Sequence, residues 1–253
     1  TEPIEAPKID TSVCIGNIGN GMHKNIINKW QKRNAGCDIY IDFETVNSCF
    51  LSEPSLECGN ESSIIFMVGI GIVDNNGWKF KCFKAESLDH TGEYNLLEQA
   101  AEYLVPHIDN SRIYHWSHAE ITFLTMAMKK YHNKWSHIFF NHSATWIDVC
   151  IIFQNVPIVV KGAFTFKLKD IAKSMYKHGL IASTWDDKSN VADGFAAMIE
   201  AINYYKFKGS GNDNDINNNN NNNEDIMLDI EKYNEIDCRV IYEIIEYLRD
   251  NHC

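Results

Sequence analysis

The chain is short of positive charge, of paired cysteines and of long apolar runs, and each shortage removes a class of protein. Its 23 Lys and Arg face 34 Asp and Glu, a net charge of −11, so bulk positive charge cannot hold nucleic acid here. A site built from carboxylates nonetheless attracts phosphate once divalent metals occupy it, which keeps nucleic acid open as a substrate. Eight cysteines stand at 14, 37, 49, 58, 82, 150, 238 and 253 with no CxxC and no short paired spacing, which argues against a zinc ribbon or a small disulfide scaffold. Reduced thiols in an intracellular setting, cytoplasmic or nuclear, are the expectation. The longest apolar run, 64–73, has 10 residues where a membrane-spanning helix needs about 20, so no membrane partner is expected. The first residue is Thr and no charged-then-apolar leader follows it, which reads as a fragment of a longer chain without a secretion signal.

What remains suits one large globular domain: 253 residues, 45% of them hydrophobic, can build a sizeable core. Residues 1–36 are polar and mixed, broken by Gly16, Gly19 and Gly21, and read as a lead-in segment or the tail of an upstream module. From Cys37 the texture changes. Residues 37–43 (CDIYIDF) alternate like a strand, 63–73 form a long buried strand, and 78–83, beyond the turn at 74–77 (DNNG), form its antiparallel hairpin partner. Helical spacing follows over 93–105, a short buried strand over 112–116, and helix again from 118 to about 131. The stretch 144–154 (ATWIDVCIIFQ) fits strand and helix equally, whereas 166–177 and 191–205 predict helices. The strongest helix spans 226–250, with Ile230, Tyr233, Ile236, Asp237, Val240, Ile241, Ile244, Ile245 and Leu248 on one broad face. Strands first and helices later, around one mixed sheet, is an α/β pattern. Residues 206–224 (KFKGSGNDNDINNNNNNNE) hold almost nothing apolar and include seven consecutive Asn, so the segment is expected to be a disordered insertion.

The acids carry the chemistry. Asp42 and Glu44, in Asp42-Phe43-Glu44-Thr45, lie two apart on a strand and point to one face while Phe43 enters the core on the other. Carboxylates so placed repel unless cations sit between them, although a lone DxE also suits a solvated strand end. In the last helix Tyr233 and Asp237 share a face at i, i+4, and that face is apolar. An Asp there is costly to bury unpaired, which points it to a metal or a cleft, the alternative being the exposed margin of the stripe. Between these lies Tyr114-His115-Trp116-Ser117-His118-Ala119-Glu120, a strand running into a helix. Glu120 suits a third acidic ligand or a plain helix-terminal charge, and His115, His118 and Glu120 offer an alternative zinc site.

DxE, then an acid after a strand, then YxxxD on a C-terminal helix: this order resembles the DEDD superfamily of 3′–5′ exonucleases in its tyrosine-containing DEDDy branch. More closely, DFET, YHWSHAE, WIDV, FKLKDIA and YNEID together are similar to the RNase H-like exonuclease domains that occur alone or joined to RecB-type nuclease and helicase modules. The resemblance covers residues 37–250. It implies an RNase H-like α/β fold, a mixed five-stranded sheet flanked by helices. It also implies a metal-dependent exonuclease on single-stranded nucleic acid or 3′ ends, DNA above RNA, with an upstream nuclease or helicase module in the full-length chain. The implied ligands of two divalent ions, Mg²⁺ or Mn²⁺, are Asp42, Glu44, Glu120 and Asp237, with Tyr233 orienting the attacking water. Glu120 stands where many members have Asp. A silent nucleic-acid-binding or scaffolding module, an RNA-trimming nuclease and a structure-selective endonuclease are the rivals. Two features lie beside this pattern. Asp148 reads as a cap or turn former. Lys169, Lys173 and Lys177, in the most basic stretch of the chain, fall at i, i+4, i+8 and read as a solvated face or as a rail for the substrate backbone.

Overall fold

Alternation of apolar and polar residues writes the first long strand, and a buried run pairs with it. In the computed structural model, which describes residues 12–15, 27–33, 36–47, 50, 63–74, 77–186, 189, 191, 193–209 and 216–252, the elements run β1 (Val13–Ile15), β2 (Asp38–Val46), β3 (Ile64–Asp74), β4 (Gly77–Lys84), α1 (His90–Leu104), β5 (Arg112–His115), α2 (Ala119–Lys130), α3 (Ser136–Phe139), β6 (Thr145–Asp148), α4 (Val149–Asn155), β7 (Ile158–Val160), α5 (Leu168–Lys177), α6 (Gly194–Gly209) and α7 (Ile216–Asn251).

Five of the strands make one sheet in the order β4-β3-β2-β5-β6. β2, β3 and β4 form an antiparallel meander, while β5 and β6 run parallel to β2. This is a mixed five-stranded α/β sheet flanked by helices, the arrangement that the RNase H-like resemblance implies. The hairpin joining β3 to β4 turns at Gly77, whose φ of 95° is open to glycine; Asn75 and Asn76 of the expected turn lie outside the described residues. The ambiguous stretch 144–154 is both things in succession: β6 ends at Asp148, whose side chain accepts from the Ile151 backbone N–H at 3.1 Å and caps α4.

Because side chains alternate across β2, the sheet has two separate cores. Ile39, Ile41 and Phe43 pack with Leu96, Leu97, Ala100 and Leu104 of α1, Leu124 and Met128 of α2, and Ala197, Ala201 and Tyr205 of α6. Tyr40 faces the other way, among Ile241, Ile244, Ile245 and Leu248 of α7, Phe153 of α4 and Ile171 and Met175 of α5. At about 25 cal/mol per Å² of apolar area removed from water, these two layers supply the main favourable contribution to folding.

Two expectations need correction. The lead-in segment does not stop at the boundary drawn at 36/37: β1 pairs antiparallel with β7, and Trp30 is buried in the second core. Three consecutive backbone carbonyls dock this segment. Lys29 O accepts from the Tyr114 hydroxyl at 2.7 Å, Gln31 O from the Arg112 guanidinium at 2.6 Å, and Trp30 O from Arg249. The Asn-rich segment is likewise not one unstructured insertion, since Lys206–Gly209 close α6 and α7 starts at Ile216; residues 210–215 lie outside the described residues. Asn costs a helix only about 0.5 kcal/mol per residue relative to Ala, and extending a helix already nucleated by the buried 226–251 adds a backbone hydrogen bond per residue.

Carboxamides bring no apolar surface to bury, so exchanging Asn217–Asn223 for a Gly-Ser run of equal length is expected to shift Tm by a few degrees at most. Thermal denaturation checks this. A fall of about 10 °C, equivalent to about 3 kcal/mol, would show the tract to be part of the packed body.

Among the described cysteines 14, 37, 82, 150 and 238 there is no disulfide. Among the described residues no helix is long and apolar enough to cross a membrane.

Candidate metal centre

Asp42 and Glu44 project from the same face of β2, and Asp237 reaches them from α7. One carboxylate oxygen from each comes within 4.8 Å of the others. Asp42 is half-buried, and Glu44 and Asp237 are buried. An irregularity in the β2–β3 register directly after Glu44 marks the end of this acidic face; such bulges commonly re-aim side chains near functional sites.

Like charges this close, taken out of water, resist ionisation. Enclosure and then repulsion from Asp237 hold the Asp42 carboxyl well above its usual range, and the same two causes raise Glu44. Asp237 is pushed up to about 7 by burial, with Lys169 and hydrogen bonds from Tyr233 and Trp185 pulling the other way. All the donors are carboxylate oxygens, the chemistry that suits hard divalent cations, and the missing positive charge is what such ions supply. The residues therefore fit a Mg²⁺ or Mn²⁺ centre.

Sequence reasoning missed two neighbours of the acids. Asn234, fully buried, donates through Nδ2 to Asp42 Oδ2 at 2.7 Å, and its carboxamide also lowers the Glu44 pKa. It fits because Gly69 stands opposite Asp42 on β3: a Cβ on Gly69 would lie 1.8 Å from Asn234 Oδ1. Trp185 donates from Nε1 to Asp237 Oδ1 at 3.0 Å. The only sequence signal for Asn234 was its place beside Tyr233 in YNEID; Trp185 had none.

Tyr233 donates to Asp237, and burial, then Asp237, keep its hydroxyl pKa far above normal. Lys169 lies 4.5 Å from the Tyr233 ring centroid and 5.2 Å from that of Trp185, so it walls the centre, whereas Lys173 and Lys177 are exposed farther along α5. Beside these rings opens a cleft of about 440 Å³ lined by Trp185, Val191, Tyr233 and Ile236 and edged by Asp229 and Lys232.

Glu120 is held apart from the three-acid cluster. It is buried in the first turn of α2, with Oε2 3.3 Å from His115 Nδ1, and its negative charge still raises Asp42, Glu44 and Asp237. Its own pKa is raised by burial and lowered by His115. The extra methylene over Asp lets the carboxylate reach back to the strand that precedes it. Ser117, at φ 79°, makes the sharp turn between β5 and α2, and Asp148 Oδ1 pins its N–H at 3.1 Å, so Asp148 serves as a turn and cap residue. His118 is exposed, and among the described residues the three-acid cluster is the only candidate metal group; the alternative zinc site from His115, His118 and Glu120 does not assemble.

No protein family matches the chain, nor does any curated protein. Among solved structures, the zinc-bound complex of E. coli exonuclease I with single-stranded DNA is 12% identical with a TM-score of 0.39, covering 66% of this chain and 40% of that one. Exonuclease I with bound product is 11% identical with a TM-score of 0.38, covering 69% and 45%. The chain thus spans less than half the length of these proteins.

Proposed function

We propose that this protein is a divalent-metal-dependent 3′–5′ exonuclease of the DEDDy type acting on DNA, with its catalytic residues within 37–250 and the lead-in segment docked onto the same body. The observation that carries the reading is the cluster of Asp42, Glu44 and Asp237, three largely enclosed acids whose carboxylate oxygens converge within 4.8 Å and whose mutual repulsion a cation would relieve. Glu120, hydrogen-bonded to His115 and outside the three-acid cluster, is assigned as the fourth acid of the set. Divalent ions held there would activate water and neutralise charge on the scissile phosphate.

The chain's own residues do the rest. Tyr233 keeps its proton, so it orients the attacking water through its hydroxyl and does not act as a base. Trp185 and Asn234 fix the Asp237 and Asp42 carboxylates in place. Water oxygen bonds to phosphorus, the bond from phosphorus to the 3′ oxygen breaks, and that oxygen leaves with a proton. The products are a nucleoside 5′-monophosphate and a strand one nucleotide shorter. Lys169, Lys173 and Lys177 lead the phosphate backbone away from the centre along α5, a local positive row on a chain of net charge −11. An intracellular setting, cytoplasmic or nuclear, is the reading we attach to this activity, and cysteines without paired spacing support it.

Purified protein with Mn²⁺ is expected to shorten a 5′-labelled oligodeoxynucleotide in single-nucleotide steps, and not a 3′-blocked one. Activity that survives excess EDTA, or internal cleavage of a circular single strand, would overturn this assignment.

A further inference from the structure

The segment between β7 and α5 presents an aromatic ring to solvent from a braced turn. Phe164 is 96% exposed, yet the residues flanking it are tied down before and after it. The Ala163 N–H donates to Val160 O at 3.0 Å. Phe166 O accepts from Trp116 Nε1 at 2.9 Å, and the Thr165 hydroxyl bonds Asp170. His178 Nε2 lies 2.9 Å from Lys161 O, and Gly162, at φ 95°, sits beside Ser174. Packing gives Phe164 nothing and the scaffold holds it out, an arrangement that suits recognition.

Beside it runs the α5 stripe. At 3.6 residues per turn, Lys169, Lys173, Tyr176 and Lys177 fall within an arc of about 100°. Tyr176 is 46% exposed, so an aromatic ring interrupts the lysines. Steps from Lys169 to Lys173 to Lys177 rise about 6 Å each along the axis, close to the spacing of phosphates on one extended strand. The stripe begins at Lys169, against Tyr233 and the acids. Asp170 is the single acid between Lys161 and His178, and Thr165 engages it.

We propose that Phe164, Tyr176 and the α5 lysines form a track for single-stranded nucleic acid, with bases stacked on the two rings and phosphates on Lys173 and Lys177. The track rests on the exonuclease reading for its direction, and it selects strandedness: bases are free to stack on side chains only when they are unpaired. A duplex offers the lysines its phosphates and the rings nothing.

The test is fluorescence anisotropy with a labelled oligothymidylate and a labelled blunt duplex, with Ca²⁺ replacing Mn²⁺ so that affinity is read without cleavage. Phe164→Ala and Tyr176→Ala are each expected to weaken single-strand binding about tenfold, with no change in its salt dependence or in duplex affinity. Lys173→Ala and Lys177→Ala should each lower the salt slope by a little under one. Both rings are exposed, so the variants are expected to fold, and an unchanged Tm verifies it. Wild-type affinity in both ring variants, equal losses for duplex and single strand, or no single-strand binding by the unaltered protein would each overturn the track. The two readings fail separately: ring-dependent binding without Mn²⁺-dependent cleavage removes the nuclease and leaves the track, and cleavage with ring-independent binding does the reverse.

Discussion

Asp42→Asn is expected to abolish both the Mn²⁺-dependent rise in Tm and the hydrolysis of a labelled strand, while leaving the protein folded. A metal at one hundred times its dissociation constant stabilises the native state by about 2.7 kcal/mol, a rise of about 5–10 °C for a chain of this size. Asn keeps the shape of Asp and can still accept from Asn234, so no cavity opens, but one of the three charges facing the cation is gone. Without metal the variant should melt higher than the parent above neutral pH, because it relieves repulsion among the acids.

The sign of the pH dependence follows from the same groups. Carboxyls raised by folding bind protons more tightly in the native state than in the unfolded chain, so their contribution to metal-free stability is present at acid pH. It is lost as pH rises through the native value, about 7 for Asp237. Metal must displace those protons. The Mn²⁺-induced shift in Tm is therefore expected to grow between slightly acidic and slightly alkaline pH, and to stay near zero throughout in Asp42→Asn.

Gly69→Ala should be among the most damaging single methyl groups that can be added to this protein. The new Cβ would lie 1.8 Å from Asn234 Oδ1 and 2.9 Å from the Phe80 ring, distances that force a shift. Asn234 must swing away, losing its bond to Asp42, or α7 must lift from the sheet. Overpacking of this kind costs about 1–3 kcal/mol, and a buried polar group left unsatisfied adds about 1–3 kcal/mol. Tm is expected to fall by about 5–15 °C, with weaker Mn²⁺ binding. In Gly69→Ala combined with Asn234→Ala the clash is removed with its partner, so the double variant should lose less than the sum of the two single ones. Strict additivity would show that Asn234 is not what fills the space above Gly69.

Much of this was legible because period and spacing report on faces. Two apart on a strand put Asp42 beside Glu44, and i, i+4 on a helix put Tyr233 beside Asp237; each rule is local, and the fold merely brings the two faces together. What escaped was of another kind. Trp185 and Asn234 find their partners through tertiary geometry, and an indole in a loop or an amide on a helix carries no mark of its acceptor. Residues 29–31 dock through backbone carbonyls, which every residue possesses, so a polar lead-in and a docked one read alike. Glu120 was visible as an acid in the right place, but its side-chain length lets it turn to His115, and no spacing rule decides between two directions of reach. The Asn tract misled because composition measures what can be buried, whereas a helix end needs only backbone hydrogen bonds and a neighbour already in register.

The centre draws its acids from the second strand and the last helix, with nearly the whole chain between them. Closing so long a loop is entropically costly, and contacts of that separation form slowly. During refolding the hairpin of β3 and β4 can pair long before α7 lies down across Gly69. Metal binding and catalysis should then recover later than secondary structure does, so that activity serves as a clock for the final docking event.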